Sequence, residues 1–254
     1  MTRKSGAATG SLKPSENGKH VMIEKSNERI LEVKELSVSY KTLHVLFDVS
    51  LEIQTGEVVV VVGRNGAGKT TLFRTVAGFL KQDSGTILFK GEDIGHLPSY
   101  EVALKGLKYI QQDKHVFADL TVRENLELGS YATKDYDWDR VLEHFPKLKT
   151  LMDRKGGNLS GGERQMLLMA QSLLGKPELV LMDEPTEGLA PHVIEDLKGA
   201  FKKISEQSTL VIIEQNLPLT AEVAHRVYAM KEGKIVAEVA DKKEIQDLAF
   251  EKYL

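Results

Sequence analysis

The run Gly63-Arg64-Asn65-Gly66-Ala67-Gly68-Lys69-Thr70 constrains this chain more than any other stretch. It fits the pattern Gly-x4-Gly-Lys-Ser/Thr and follows directly on a run of valines, Val58 to Val62. Such an unbroken apolar run reads as a strand buried on both faces. A glycine-rich loop between that strand and a helix is the context in which backbone N–H groups turn inward to cradle phosphates. Lys69 can reach β- and γ-phosphates and the Thr70 hydroxyl can ligate Mg²⁺. With Thr71 the helix is under way, and its positive N-terminal end adds to the anion site.

Length and composition narrow the field. The 254 residues suffice for one large domain, or a core with an inserted subdomain. Cysteine is absent, which excludes disulfides, cysteine–zinc sites and thiol catalysis. The net charge of -3, with signs interspersed, offers no basic footprint for nucleic acid. No apolar run approaches the ~20 residues needed to cross a bilayer. Residues 1–29 are rich in Ser, Gly, Lys, Asn and Glu, and are expected to form a flexible tail. A cytoplasmic protein is expected, acting at a membrane only through partners.

Along the rest of the chain, alternation marks strands near Leu31–Val33 and Leu51–Ile53. A helix is expected from Thr70 to Leu80, a turn at Asp83-Ser84-Gly85 and a strand from Thr86 to Lys90. From about 114 to 176 the character is helical. Thr121-Val122-Arg123-Glu124 and Ser160-Gly161-Gly162-Glu163 both have the capping-box form. Trp138, Val141, Leu142 and Phe145 suggest a short helix stopped near Pro146. Leu179–Met182 and Leu210–Ile213 read as buried strands. Between them Val193, Ile194, Leu197, Phe201 and Ile204 share a helical face. Two strands flank Gly233, and a helix is expected from Asp241 to Leu254.

Asp183 and Glu184 end the strand that begins at Leu179. Alternation along a strand would point the two carboxylates differently. Asp183 is then the Mg²⁺ ligand, through water, and Glu184 the general base for an attacking water.

Leu159-Ser160-Gly161-Gly162-Glu163-Arg164-Gln165 adds a third motif. With it, the chain from Ile30 to Leu254 resembles the ATP-binding subunit of ATP-binding-cassette (ABC) transporters, in motif order and spacing. The resemblance implies an α/β fold of the P-loop NTPase (RecA-like) class. A mixed sheet core would carry an antiparallel β subdomain and an inserted α-helical subdomain, at about 114–176 within a domain of 30–254. It implies ATP and Mg²⁺ as cofactors, and a second ATPase subunit whose ATP is closed over by Ser160, Gly161, Gly162 and Glu163. Tyr40 matches the aromatic that stacks on adenine. Gln112 matches the glutamine that touches Mg²⁺ or the attacking water and senses the membrane partner. Gln111 stands where relatives commonly have proline, so the choice between the two glutamines depends on the alignment.

Two positions depart from the family pattern. Gln215 stands where a switch histidine is expected; its amide can donate to a γ-phosphate oxygen but cannot titrate near neutral pH. Ala190 replaces an aspartate after Gly188-Leu189. Both departures resemble the LivF-type branch of branched-chain amino-acid importer ATPases, to which urea and short-amide importers are related. That branch implies two permeases, a second and different ATPase chain (a homodimer being the alternative), an extracytoplasmic substrate-binding protein, and a place on the cytoplasmic face of the membrane. A soluble iron–sulfur assembly ATPase is the competing expectation. Nucleic-acid ATPases that share these motifs need coiled coils, zinc cysteines or a second cassette.

Overall fold

The computed structural model describes residues 28–112 and 116–254. The expected flexible tail therefore lies outside the described residues, except for its last two positions, and Arg29 already belongs to a strand. Two sheets organise the described residues. The smaller is antiparallel, in the order β2-β1-β4-β5, with β1 at Arg29–Tyr40, β2 at Leu43–Gln54, β4 at Ser84–Phe89 and β5 at Glu92–Asp93. The larger runs β10-β9-β3-β8-β7-β6. Its strands are β3 (Val58–Val62), β6 (Leu107–Ile110), β7 (Leu179–Asp183), β8 (Thr209–Ile213), β9 (Arg226–Lys231) and β10 (Lys234–Val239). Neighbours are parallel except at β9–β10.

The valine run explains the layering. Val58, Val60 and Val62 face one core with residues of the helical region, whereas Val59 and Val61 face a second core shared with the antiparallel sheet. Strands β7 and β8 divide in the same way, so both faces are covered, and their polar residues, Asp183 and Thr209, stand only at strand ends. The helix α1 (Lys69–Val76) packs in the second core through Leu72, Phe73 and Val76. Between β6 and β7 come α3 (Val122–Thr133), α4 (Trp138–Leu142), α5 (Pro146–Lys149) and α6 (Gly161–Ser172); α2 (Ser99–Leu104) precedes β6. Then α7 (Pro191–Ser205) and α8 (Leu217–Val223) flank β8, and α9 (Lys242–Gln246) follows β10. The Tyr228 hydroxyl joins the sheets, donating to Glu52 O at 2.9 Å and accepting from Glu52 N–H at 3.2 Å.

Several expected boundaries shift. The helix expected to reach Leu80 stops at Val76, where Gly78 (φ 75°) lets the Phe79 N–H turn back onto Arg74 O. Ser84 and Gly85 belong to β4 rather than to a turn. Pro146 does more than stop a helix: it opens α5 at its first turn, where a missing N–H costs nothing. The C-terminal helix ends at Gln246 instead of running to Leu254, because Leu248 adopts a left-handed φ of 56° and only a short 3-10 turn, Glu251–Tyr253, follows.

Candidate functional site

Four adjacent strands of the larger sheet deliver the site at one edge. The loop 63–68 leaves the C-terminal end of β3; Glu214 and Gln215 follow β8; Asp183 closes β7 and Glu184 follows it; Gln112 comes after β6. Loops beyond the carboxyl ends of parallel strands are where α/β sheets bind ligands. An open cleft of about 260 Å³ lies there, lined by Asn65 to Thr71, Gln112, Glu184 and Glu187.

The loop's shape depends on glycine. Gly63, Gly66 and Gly68 have φ of 154°, 83° and 101°. A Cβ on Gly63 would lie 2.3 Å from the carbonyl oxygen of Met230, so only glycine passes beside β9. Lys69 is buried, and its Nζ donates to Gly63 O at 2.8 Å and Arg64 O at 3.2 Å. Its ammonium also lies 3.9 Å from Glu184 Oε1. Burial pulls the Lys69 pKa down, while Glu184 and then Asp183 oppose that shift. Arg64 lines a neighbouring pocket of about 220 Å³ with Asn65, Met230, Lys231, Glu232 and Leu254.

The carboxylates divide as their backbones dictate. Asp183 ends β7, but Glu184 lies beyond it with a left-handed φ of 48°. Their divergence comes from this turn rather than from the strand alternation expected earlier; such a conformation in a residue other than glycine is strained and is characteristic of functional sites. Asp183 Oδ1 accepts from the Thr70 hydroxyl at 3.3 Å and Oδ2 from the Tyr109 hydroxyl at 3.0 Å. Burial raises the Asp183 pKa, with the Thr70 and Tyr109 hydrogen bonds opposing. Glu184 Oε2 accepts from the Gln112 amide at 3.3 Å, and that amide also donates to Glu187 Oε2 at 2.8 Å. Glu184 Oε1 accepts from the Gln215 amide at 2.7 Å, which also donates to Asn65 Oδ1 at 2.9 Å. A threonine hydroxyl beside an aspartate at a phosphate cleft is a hard-oxygen donor set of the kind Mg²⁺ takes. Among the described residues no group of three His, Cys, Asp or Glu comes together in a cage.

Other residues singled out from the sequence stand apart. Ser160 caps α6 in a complete capping box: Glu163 N–H donates to its hydroxyl at 3.3 Å and its own N–H donates to Glu163 Oε2 at 2.9 Å. Ser160 to Glu163 do not line the cleft of their own chain. Gly162 is buried, and a Cβ there would meet Val193 Cγ1 at 2.5 Å; Gly161 has ordinary space, with Leu189 Cδ2 at 3.7 Å. Tyr40 ends β1, 40% exposed, outside both pockets. Sequence reasoning missed Tyr109, Glu187 and Glu214. The Tyr-x-Gln-Gln spacing after a short strand was a signal for Tyr109; none was available for the other two.

Comparison with known proteins agrees with this geometry. The family model described as ABC transporter matches residues 46–187, more than half of the chain. The chain is 38% identical over 212 residues to the high-affinity branched-chain amino acid transport ATP-binding protein BraG of Pseudomonas aeruginosa, covering 82% of this chain and 91% of that protein. It is 37% identical to the probable branched-chain amino acid transport ATP-binding protein LivF of Archaeoglobus fulgidus, covering 81% and 90%. It is equally 37% identical to the lipopolysaccharide export system ATP-binding protein LptB of Haemophilus influenzae, covering 82% and 89%. Among solved structures, a nucleotide-free ATP-binding cassette from an ABC transporter superposes with a TM-score of 0.78 at 28% identity, covering 89% of this chain and 97% of that one. A cassette in its ADP conformation gives the same TM-score. The chain belongs to the ABC transporter ATP-binding family and is an ATP-hydrolysing transporter subunit.

Proposed function

We propose that this subunit powers an importer of branched-chain or other hydrophobic amino acids, or of related small solutes such as urea and short amides. It would work with two membrane permeases, a second and different ATPase chain, and indirectly an extracytoplasmic binding protein. No described helix is long and apolar enough to cross a membrane, so its place at the cytoplasmic face would depend on the permeases. The likeness to BraG and LivF supports the substrate class; the likeness to LptB makes lipopolysaccharide export the second reading.

The observation that carries the hydrolytic assignment is the buried Glu184 carboxylate, held by the Gln112 and Gln215 amides at the phosphate cleft. Loop amides and Lys69 would grip the triphosphate, with Lys69 exchanging its loop carbonyls for phosphate oxygens. Tyr40 would stack on adenine, and Ser160, Gly161, Gly162 and Glu163 would close over the ATP of the partner subunit. Thr70 and Asp183, with Gln112, would hold Mg²⁺, which supplies charge neutralisation at the β- and γ-phosphate oxygens. Glu184 takes a proton from water as its oxygen attacks the γ-phosphorus, and ADP leaves. Gln215 donates to a γ-phosphate oxygen.

Glu184→Gln should retain ATP binding and lower turnover by ~10²–10⁴; near-normal hydrolysis would remove Glu184 from that role. Lys69→Ala should lose nucleotide binding. In cells carrying only the Lys69→Ala form, uptake of labelled leucine should cease. Undiminished uptake with failing lipopolysaccharide transport would move the assignment to the exporter.

A further inference from the structure

The hydrolytic reading leaves a buried carboxylate beside the cleft strands unused. Glu214, directly after β8, is 4% exposed. Four donors converge on it. Oε1 accepts from Thr186 N–H at 3.2 Å and from the Thr186 hydroxyl at 2.5 Å. Oε2 accepts from Gln215 N–H at 3.1 Å and Asn216 N–H at 3.2 Å. A carboxylate can accept on both oxygens; an amide in its place would present N–H groups to one of the two pairs of donors. Burial raises the Glu214 pKa, and these same hydrogen bonds oppose the shift.

The two arms reach different loops. Thr186 lies two residues beyond Glu184, in the loop that continues from β7. Gln215 is the residue whose amide meets Glu184 Oε1 at 2.7 Å and Asn65 Oδ1 at 2.9 Å. Gln215 itself is exposed, so neither packing nor a net charge holds its side chain in place. A neutral amide must be aimed, because its hydrogen bonds weaken steeply with angle. Its aim is set by the backbone at 215–216, and that backbone is bonded to Glu214.

We propose that Glu214 is a positioning residue for hydrolysis: its carboxylate clamps the Thr186 loop to the Gln215–Asn216 backbone and thereby registers the Gln215 amide against Glu184. Glu214 does not line the cleft; it acts through Gln215. The inference rests on the roles given above to Glu184 and Gln215.

The test is a double-mutant cycle on the full chain, reading kcat and ATP affinity separately. Glu214→Gln should lower kcat about tenfold while ATP affinity stays within about twofold. Combined with Gln215→Ala, it should be no slower than Gln215→Ala alone, because residues that act through one another are not additive. Thr186→Val, which loses only the hydroxyl donor, should lower kcat in the same direction, and Thr186→Ser should restore it; this pair decides the matter if Glu214→Gln does not fold. Backbone exchange at Gln215 and Asn216 should quicken in Glu214→Gln. Wild-type kcat in Glu214→Gln, or losses that multiply in the double mutant, would overturn the clamp. Were Glu184→Gln to remain active, the hydrolytic reading itself would fall, a result separable from either.

Discussion

The adjacent glycines of α6 should separate by mechanism when each becomes alanine. At Gly162 the added methyl would stand 2.5 Å from Val193 Cγ1, 3.1 Å from Cγ2 and 3.4 Å from Cβ. Turning Val193 so that its hydrogen faces the new methyl would take it out of the one χ1 rotamer that valine strongly prefers in a helix. Helix α6 must therefore move off α7, an overpacking cost of about 1–3 kcal/mol. Helix propensity returns at most about 1 kcal/mol. For a central overpacking cost of about 2 kcal/mol the net loss is about 1–2 kcal/mol, which lowers Tm by roughly 2–8 °C for a domain of this size. Gly161 has no contact under 3.7 Å and no left-handed φ, so alanine there should be neutral or stabilise by about 0.4–1 kcal/mol. Function should run the other way: Gly161→Ala puts a methyl where the ATP of the opposite subunit is proposed to sit, and should cut turnover by tenfold or more. Calorimetry or urea unfolding of both variants, with Gly162→Ala/Val193→Ala as the rescue, supplies the measurement. A Gly162→Ala protein as stable as wild type, or one not rescued by trimming Val193, would refute the steric argument. Undiminished turnover in Gly161→Ala would refute the trans contact.

Two further outcomes follow from the buried pair at the cleft floor. Because burial raises the Asp183 pKa above its ordinary 3.8, the native state holds that proton more tightly than the unfolded chain. The stabilisation is complete below 3.8 and is lost as pH rises through the native value, so the ionised group is a liability near neutrality. Asp183→Asn should therefore raise the Tm of the nucleotide-free protein at pH 7, and the gap should close on acidification; a gap that widens contradicts the sign. Tyr109→Phe keeps the ring contacts with Phe73 and Phe79 but removes a donor to a charged group, so it should cost about 1.5–3 kcal/mol in urea unfolding. An unchanged midpoint would dismiss that hydrogen bond.

Local pattern made much of this legible. The valine strand, the phosphate loop and the two capping boxes are short-range signals, and all of them appear in the structure. Short elements escaped: β6 carries Lys108 and Tyr109 among only four residues, and α8 has just seven. Boundaries failed where one residue of unexpected φ intervened, as at Leu248 and at Glu184. At the site, the sequence pointed to residues whose type announces their chemistry, such as Lys69, Asp183, Glu184 and Gln215. It could not disclose partners defined only by folding: Asn65 meets Gln215 150 positions away, and Thr186 meets Glu214 across 28.

Since the groups lining the cleft all issue from one rim of the larger sheet, the opposite rim stands clear of them. The link of residues 206–208 joins α7 to β8 on that far side, and Glu206 is exposed. A fluorophore or affinity tag spliced there would report on the cassette while leaving nucleotide turnover intact.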